Sequence, residues 1–401
     1  NSGSMGEEQL NLAKNFPLLI QKLQDLEDGN GQPIGADVNI MVTTTDVGHT
    51  QCQEPFKPKG APVTTGCNER IAHFTGLGDN PVSIPEACTD VCPVDIVPTD
   101  DHIHFNNNGT NVPDSPPVDV NGDGVDDNNI AQALACIGPV GIDGCGYEAP
   151  LEAILQALDA NADWNNGDTP FLRDDAVLAI ALITDEADCS VMDFDLFSSQ
   201  NEHWEIHPDL GPMQSSAICW NAGVDCVDAD MDGTYESCMS KTGAGMQPVD
   251  ARYIATLNAI RNSGKEVVML GILGIPIVTE HAEDPPHQPT MGGVEALVYR
   301  DWINGLFPDD GDILPDDWND METAAHKEWA FGIGPGCTGE TADPNVFTGQ
   351  AIPPVRIKEV CESLNYEDKI RCCMESICDE DFSAAMTCLT DVVQDALVPV
   401  G

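Results

Sequence analysis

The chain has 401 residues, room for two or three average domains or for one α/β domain with large insertions. Its 41% apolar content excludes a disordered acidic tail. A formal charge of −52, from 68 acidic against 16 basic residues, excludes a surface built for nucleic acid or anionic lipid. Such a surface attracts cations, calcium in particular, and also keeps a protein soluble in salty water.

In chain order, residues 6–28 read as an amphipathic helix from Leu10, Ala13, Phe16, Ile20 and Leu23, with a kink expected at Pro17. Residues 37–44 read as a strand, and 129–137 and 149–159 as helices. The continuous apolar run 176–184 fits a strand covered on both faces, as in a parallel sheet. Residues 250–263 are helical in pattern, 266–273 form a second buried strand, and 379–396 a closing helix. Strands alternating with helices predict an α/β fold with a mostly parallel sheet flanked by helices. Between these elements lie long polar segments at about 47–128, 186–249 and 276–355, rich in Pro, Gly and Asp. The reading is one core domain over 1–401, its insertions stapled by disulfides and calcium.

The 16 cysteines are even in number and dispersed, which predicts disulfides and an oxidising compartment, with pairings left open. Cys361, Cys372, Cys373, Cys378 and Cys388 read as structural bridges rather than redox or zinc ligands, because acidic surroundings raise thiol pKa. There is no run of 18 apolar residues, hence no transmembrane helix. No signal peptide is seen, although a secreted chain should have one, so the displayed start is expected to be processed or trimmed.

Two motifs carry chemistry. Ser2 and Ser4 stand two residues apart on a Gly-containing turn before a helix, where both hydroxyls can face one cation. Thr184-Asp185-Glu186 ends the apolar strand, and ligand sites of open α/β sheets lie at the carboxyl ends of strands. The second motif occurs twice, at Asp119, Asn121, Asp123, Val125 and Asp127 and at Asp228, Asp230, Asp232, Thr234 and Glu236. Oxygen side chains at positions 1, 3, 5 and 9, Gly at 6 and a carbonyl at 7 can wrap Ca²⁺. Ile130 and Met239 stand where an EF-hand needs Glu, so these are shorter loops, similar to those of dockerin or thrombospondin type 3 repeats. Cys226 and Cys238 flank the second and could close it.

The order S-G-S-M, helix, strand, helix and apolar strand ending in T-D-E resembles von Willebrand factor A (vWA) domains with their metal-ion-dependent adhesion site. The stretches at 144–158 and 182–190 look like secreted vWA proteins of myxobacterial type. The resemblance implies a Rossmann-like sheet and a site for Mg²⁺, Mn²⁺ or Ca²⁺. Ser2 and Ser4 match the family's two serines and Asp185 its third-loop Asp, while Glu148 falls near the place of the second-loop Thr. The leading Asp and the first central strand of the family would precede Asn1.

The expected function is therefore an extracellular or cell-surface, metal-dependent protein-binding or adhesion module without catalysis, whose partner presents a carboxylate. The alternative is self-assembly as a structural subunit of an extracellular filament or surface layer, in which another subunit donates the strand that the resemblance places before Asn1; omission of those residues from the chain is the preferred explanation. An enzyme housed in the insertions finds no motif: neither HExxH nor GxSxG is present. His102, His104, His203 and His207 could bind a transition metal but read as ordinary surface histidines, and Asn108-Gly109-Thr110 as a chance sequon.

Overall fold

A computed structural model describes residues 4–28, 30–48, 52, 59–76, 81–198, 200–229, 231–302, 324–340 and 347–397. At its centre three parallel strands run in the order β6-β5-β4: Leu178–Ile183 (β4), Val267–Leu273 (β5) and Cys372–Ser376 (β6). Sequence reading placed β4 and β5 within two residues at each end but missed β6, because Cys372 and Cys373 drew attention as disulfide residues only.

β5 is buried at every position, with Val267, Val268, Met269, Leu270, Ile272 and Leu273 all inaccessible. Each such side chain contributes about 1.5–3 kcal/mol by leaving water. Alternate residues serve opposite layers. Val268, Leu270 and Ile272 pack on Phe382, Met386, Leu389 and Val393 of the carboxyl-terminal region, whose helix is Ser383–Leu397, and on Met5 and Leu26. Val267, Met269 and Leu273 pack on Leu151, Tyr253, Leu257, Ile357 and Val360 from helices on the other side. The molecule is thus mixed α/β, with helices on both faces of a parallel sheet.

The other elements depart from expectation in instructive ways. Residues 6–28 form two helices, α1 (Gly6–Lys14) and α2 (Phe16–Gln24), not one kinked at Pro17. The break is at Asn15, and Pro17 sits in the first turn of α2, where its missing N–H costs nothing. The strand expected at 37–44 is only Val38–Ile40 (β1), which pairs antiparallel with Ile103–Asn106 (β2), itself paired with Gly109–Thr110 (β3). The helix Asn129–Ile137 (α3) matches the expected span; Asn128 caps it, accepting from the Ala131 N–H at 2.9 Å. Pro150–Ala157 (α4) follows. Residues 250–263 open as a π-helix over Val249–Ile254 before the α-helix Ala255–Asn262 (α5), and Val355–Glu362 (α6) packs nearby.

β4 is not covered on both faces as its apolar run suggested: Ala179 and Ala181 are exposed. They lie level with Val268 and Leu270 of β5, on the face that Ser383–Leu397 (α7) covers elsewhere. Among the described residues β4 pairs with β5 alone and β1 with β2 alone. Ala181, Leu182 and Ile183 of β4, Ile40 at the end of β1 and residues 41–45 beyond it line the same cavity of about 250 Å³.

Eight disulfides use all 16 cysteines: 52–145, 67–88, 92–136, 189–219, 226–238, 337–378, 361–372 and 373–388. The bridge from Cys226 to Cys238 closes the second Asp loop, and the carboxyl-terminal cysteines are structural. This density of bridges fits an extracellular protein. No described helix is long and apolar enough to cross a membrane.

Candidate metal centre

The chain brings Ser4, Glu148 and Asp185 together at the carboxyl end of β4. Thr184, Asp185 and Glu186 follow the strand directly, Ser4 precedes α1, and Glu148 precedes α4, whose first residue is Pro150. The amino termini of both helices thus face the site, and their partial positive charge favours anionic groups there. The Ser4 hydroxyl donates to the Asp185 carboxylate. Thr184 Oγ1 donates to Glu148 Oε2 at 3.0 Å, and Thr45 also hydrogen-bonds that carboxylate. Ser2 lies outside the described residues.

The electrostatics are those of crowded acids. Asp185 is buried and its carboxyl is pushed up to about 6, by burial first and then by the charge of Glu148. Glu8, in the first turn of α1, is pushed up to about 8 by burial and then by Asp185. Burial, Asp185 and Glu148 raise Glu186 as well. Glu8 Oε2 and Asp185 Oδ1 are buried with no hydrogen-bond partner, as are Thr43 Oγ1 and Asp46 Oδ2 on the adjoining loop. Buried oxygens of this kind are costly unless something compensates them.

A layer behind holds the site in place. Asp188 accepts from Arg356 Nε at 2.9 Å, from the Leu151 N–H at 3.2 Å and from Ser190 Oγ at 2.6 Å. Arg356 also donates to the Gln247 carbonyl at 2.8 Å. This buried pair ties the loop after β4 to the start of α4. Sequence reading missed Glu8, Thr45 and the Asp188–Arg356 pair. Only Glu8 carried a signal, as an acid one turn into the helix that follows S-G-S-M.

The two Asp loops are exposed, and their hydrogen bonding matches position by position. Asp119 Oδ1 accepts from the N–H groups of Gly122 and Asp123, and Oδ2 from Gly124, at 2.7, 3.1 and 2.8 Å. Asp228 does the same with Met231, Asp232 and Gly233, at 2.6, 3.3 and 3.1 Å. Asp123 Oδ1 takes the Val125 N–H at 2.7 Å, and Asp232 Oδ1 the Thr234 N–H at 2.8 Å. Asp127 accepts from Val120 at 2.8 Å, and Glu236 from Ala229 at 3.1 Å. Positions 4 and 6 have positive φ in both loops, at Gly122 and Gly124 and at Met231 and Gly233. Burial, then Asp123 and Asp119, raise the Asp127 carboxyl. Asn121 lies in the first loop, its Nδ2 donating to Asp123 Oδ2 at 3.3 Å, while Asp230 lies outside the described residues.

The histidines divide. His102 is buried and its Nδ1 has no partner, so it is not the surface residue expected; burial lowers its pKa. His104 Nε2 lies 2.9 Å from Asp37 Oδ1. Among the described residues, two groups of three have ligand atoms all within 4.8 Å of one another: Cys67, Cys92 and Asp95, and His207, Asp209 and His326. Both cysteines of the first are in disulfides. No family model, curated protein or solved structure matches the chain.

Proposed function

We propose that the chain is a vWA-type module that binds a protein partner through a divalent cation and has no catalytic role. The carrying observation is the convergence of Ser4, Glu148 and Asp185 at a strand's carboxyl end, with Asp185 Oδ1 and Glu8 Oε2 buried and unpartnered. A mixed set of hydroxyl and carboxylate oxygens suits Mg²⁺, Mn²⁺ or Ca²⁺. Ser2, Ser4, Asp185 and Glu148 would hold the ion, which when bound offers an open position to a partner's carboxylate. Thr184 and Thr45 orient Glu148, and the Asp188–Arg356 pair fixes the loop.

Calcium in the two Asp loops belongs to the same reading. The first would use Asp119, Asn121, Asp123, the Val125 carbonyl and Asp127; the second would use Asp228, Asp230, Asp232, the Thr234 carbonyl and Glu236. Their matching hydrogen-bond patterns support a common purpose. The test is thermal unfolding of the protein with Ca²⁺, with Mg²⁺ and after EDTA, since binding to the native state stabilises it by mass action. Separate upward shifts with the two ions are expected. No shift with either would leave the acids as solubilising surface and sink the adhesion reading.

One observation favours a second reading, a structural subunit of an extracellular filament or surface layer. Among the described residues β4 and β1 each have one edge without a strand partner, and residues at both line one apolar cavity, which a strand from another subunit could fill. Concentration-dependent assembly in light scattering would favour it, and a monomer at every concentration would remove it.

A further inference from the structure

We propose that His207, Asp209 and His326 form a binding site for a first-row transition-metal ion of the zinc class, distinct from the oxygen-only sites. His207 and Asp209 belong to the hairpin of strands Ile206–His207 and Gly211–Pro212. His326 lies on the helix Ala324–Phe331, far along the chain. Folding nevertheless brings one ligand atom of each within 4.8 Å of the other two. His326 Nε2 is 2.9 Å from Asp209 Oδ2, and the two imidazole rings stand 5.2 Å apart at 74°.

The Asp209 and Leu210 N–H groups donate to His207 Nδ1, each at 3.2 Å; the neutral ring then has its proton on Nε2, so an ion on either nitrogen must displace both bonds. Trp329, one turn beyond His326, packs edge-on against His207 with ring centres 4.6 Å apart. Its Nε1 donates to the Met213 carbonyl at 3.3 Å, tying helix to hairpin. Side chains held by neighbours lose less freedom when they bind an ion.

The donor chemistry selects the ion. Imidazole nitrogen suits Zn²⁺, Cu²⁺ and Ni²⁺, whereas Mg²⁺ and Ca²⁺ take oxygen. A tetrahedral zinc ion with bonds of about 2.0–2.2 Å sets its ligand atoms about 3.5 Å apart, so the His326–Asp209 pair at 2.9 Å must open and any pair near the 4.8 Å limit must close. Asp209 can make that movement, because it is 72% exposed on the hairpin turn. Three protein ligands leave a fourth position to water, and the charge of −52 draws cations toward the surface. A bound ion would clip the hairpin to a helix more than 100 residues away, where the His326–Asp209 contact alone is an exposed pair of small worth.

The test is calorimetric titration of the full chain with Zn²⁺ in saturating Ca²⁺ and Mg²⁺, which occupy the oxygen sites. One zinc equivalent is expected, and His326→Gln and Asp209→Asn should each weaken it by about tenfold or more. Asp209→Asn changes an exposed turn, so an unchanged melting temperature in Ca²⁺ certifies its fold. Parent-like zinc binding in both variants, or no zinc binding by the parent over Ca²⁺ and Mg²⁺, overturns the proposal.

Discussion

At the carboxyl end of β4, Asp185 and Glu8 keep buried carboxylate oxygens that no donor reaches, whereas Asp119 and Asp228 in the exposed loops each satisfy three backbone amides. Both regions are acidic and both have the residue types of cation sites. They differ in who bears the cost of the charge. In the loops, water and the chain's own N–H groups bear it, so the loop shape exists before any ion arrives. Around Asp185 the low-dielectric interior bears it, and the acids respond by holding protons. A folded chain tolerates such a penalty where something outside it provides the compensation, which is why unpaired buried acids mark candidate sites more sharply than exposed ones.

The largest effect should come from Asp185→Asn, which removes the charge and keeps the shape. Burial and Glu148 raise the Asp185 carboxyl from 3.8 to about 6. A folded-state pKa above the unfolded one means stability that is complete below about pH 4 and lost as pH rises through about 6. The native state therefore carries a penalty on the order of 3 kcal/mol at pH 8 in the absence of metal. The variant should melt higher than the parent at pH 8 in EDTA, and equally at pH 3.5. Added Mg²⁺ or Mn²⁺ should reverse the order, stabilising the parent and leaving the variant unmoved. If the variant melts lower in EDTA at pH 8, the charge was already compensated and the contrast with the loops fails.

Glu375 tests whether burial alone explains that behaviour. It is a buried acid on β6 with a partner, His281 Nε2, at 3.0 Å from Oε1. Burial lifts its carboxyl from 4.5 to about 6 against the pull of His281. The sign is the same: stability is present below pH 4.5 and lost as pH rises through 6, by about 2 kcal/mol. Glu375→Gln should raise the melting temperature at pH 8 and leave it unchanged at pH 4. Unlike Asp185→Asn, it should not alter the response to Mg²⁺. A lost Mg²⁺ response would mean that the ion acts on the sheet as a whole rather than at the end of β4.

The sequence made much of this legible, and unevenly. Buried strands announce themselves by continuous apolar runs, so β4 and β5 were readable, and the stretch 129–137 was read as the helix that α3 forms. β6 was hidden because a short Cys-Cys-Met-Glu-Ser strand has neither alternation nor an apolar run, and only its pairing with β5 makes it a strand. Likewise the nine-residue spacing of the Asp loops is local and could be read. The meeting of Glu8 with Asp185, or of His207 with His326, depends on tertiary packing that no local pattern encodes. The exposure of Ala179 and Ala181 was unreadable for the same reason: composition shows what a strand can bury, not which neighbour is there to bury it.

The smallest effects on folding, and the finest division, lie within the loops themselves. Asp119→Asn and Asp228→Asn each keep an acceptor oxygen for the backbone amides, so without calcium each should change stability by less than about 1 kcal/mol. Each should also remove one calcium equivalent in titration. The loops differ in how their ends are held. The second lies on a hairpin bridged by Cys226–Cys238, with Val224–Val227 paired to Ser237–Ser240. The first has an isolated bridge between Val118 and Asp127, and no cysteine flanks it within the loop. A covalent closure limits the freedom regained when an ion leaves, so calcium should matter more to the first loop. Limited proteolysis in EDTA should therefore cut within 119–127 before 228–236, and calcium should protect the first site more. Equal cleavage of the two would mean that amide bonds to the leading Asp, and not the ion or the disulfide, hold both loops closed.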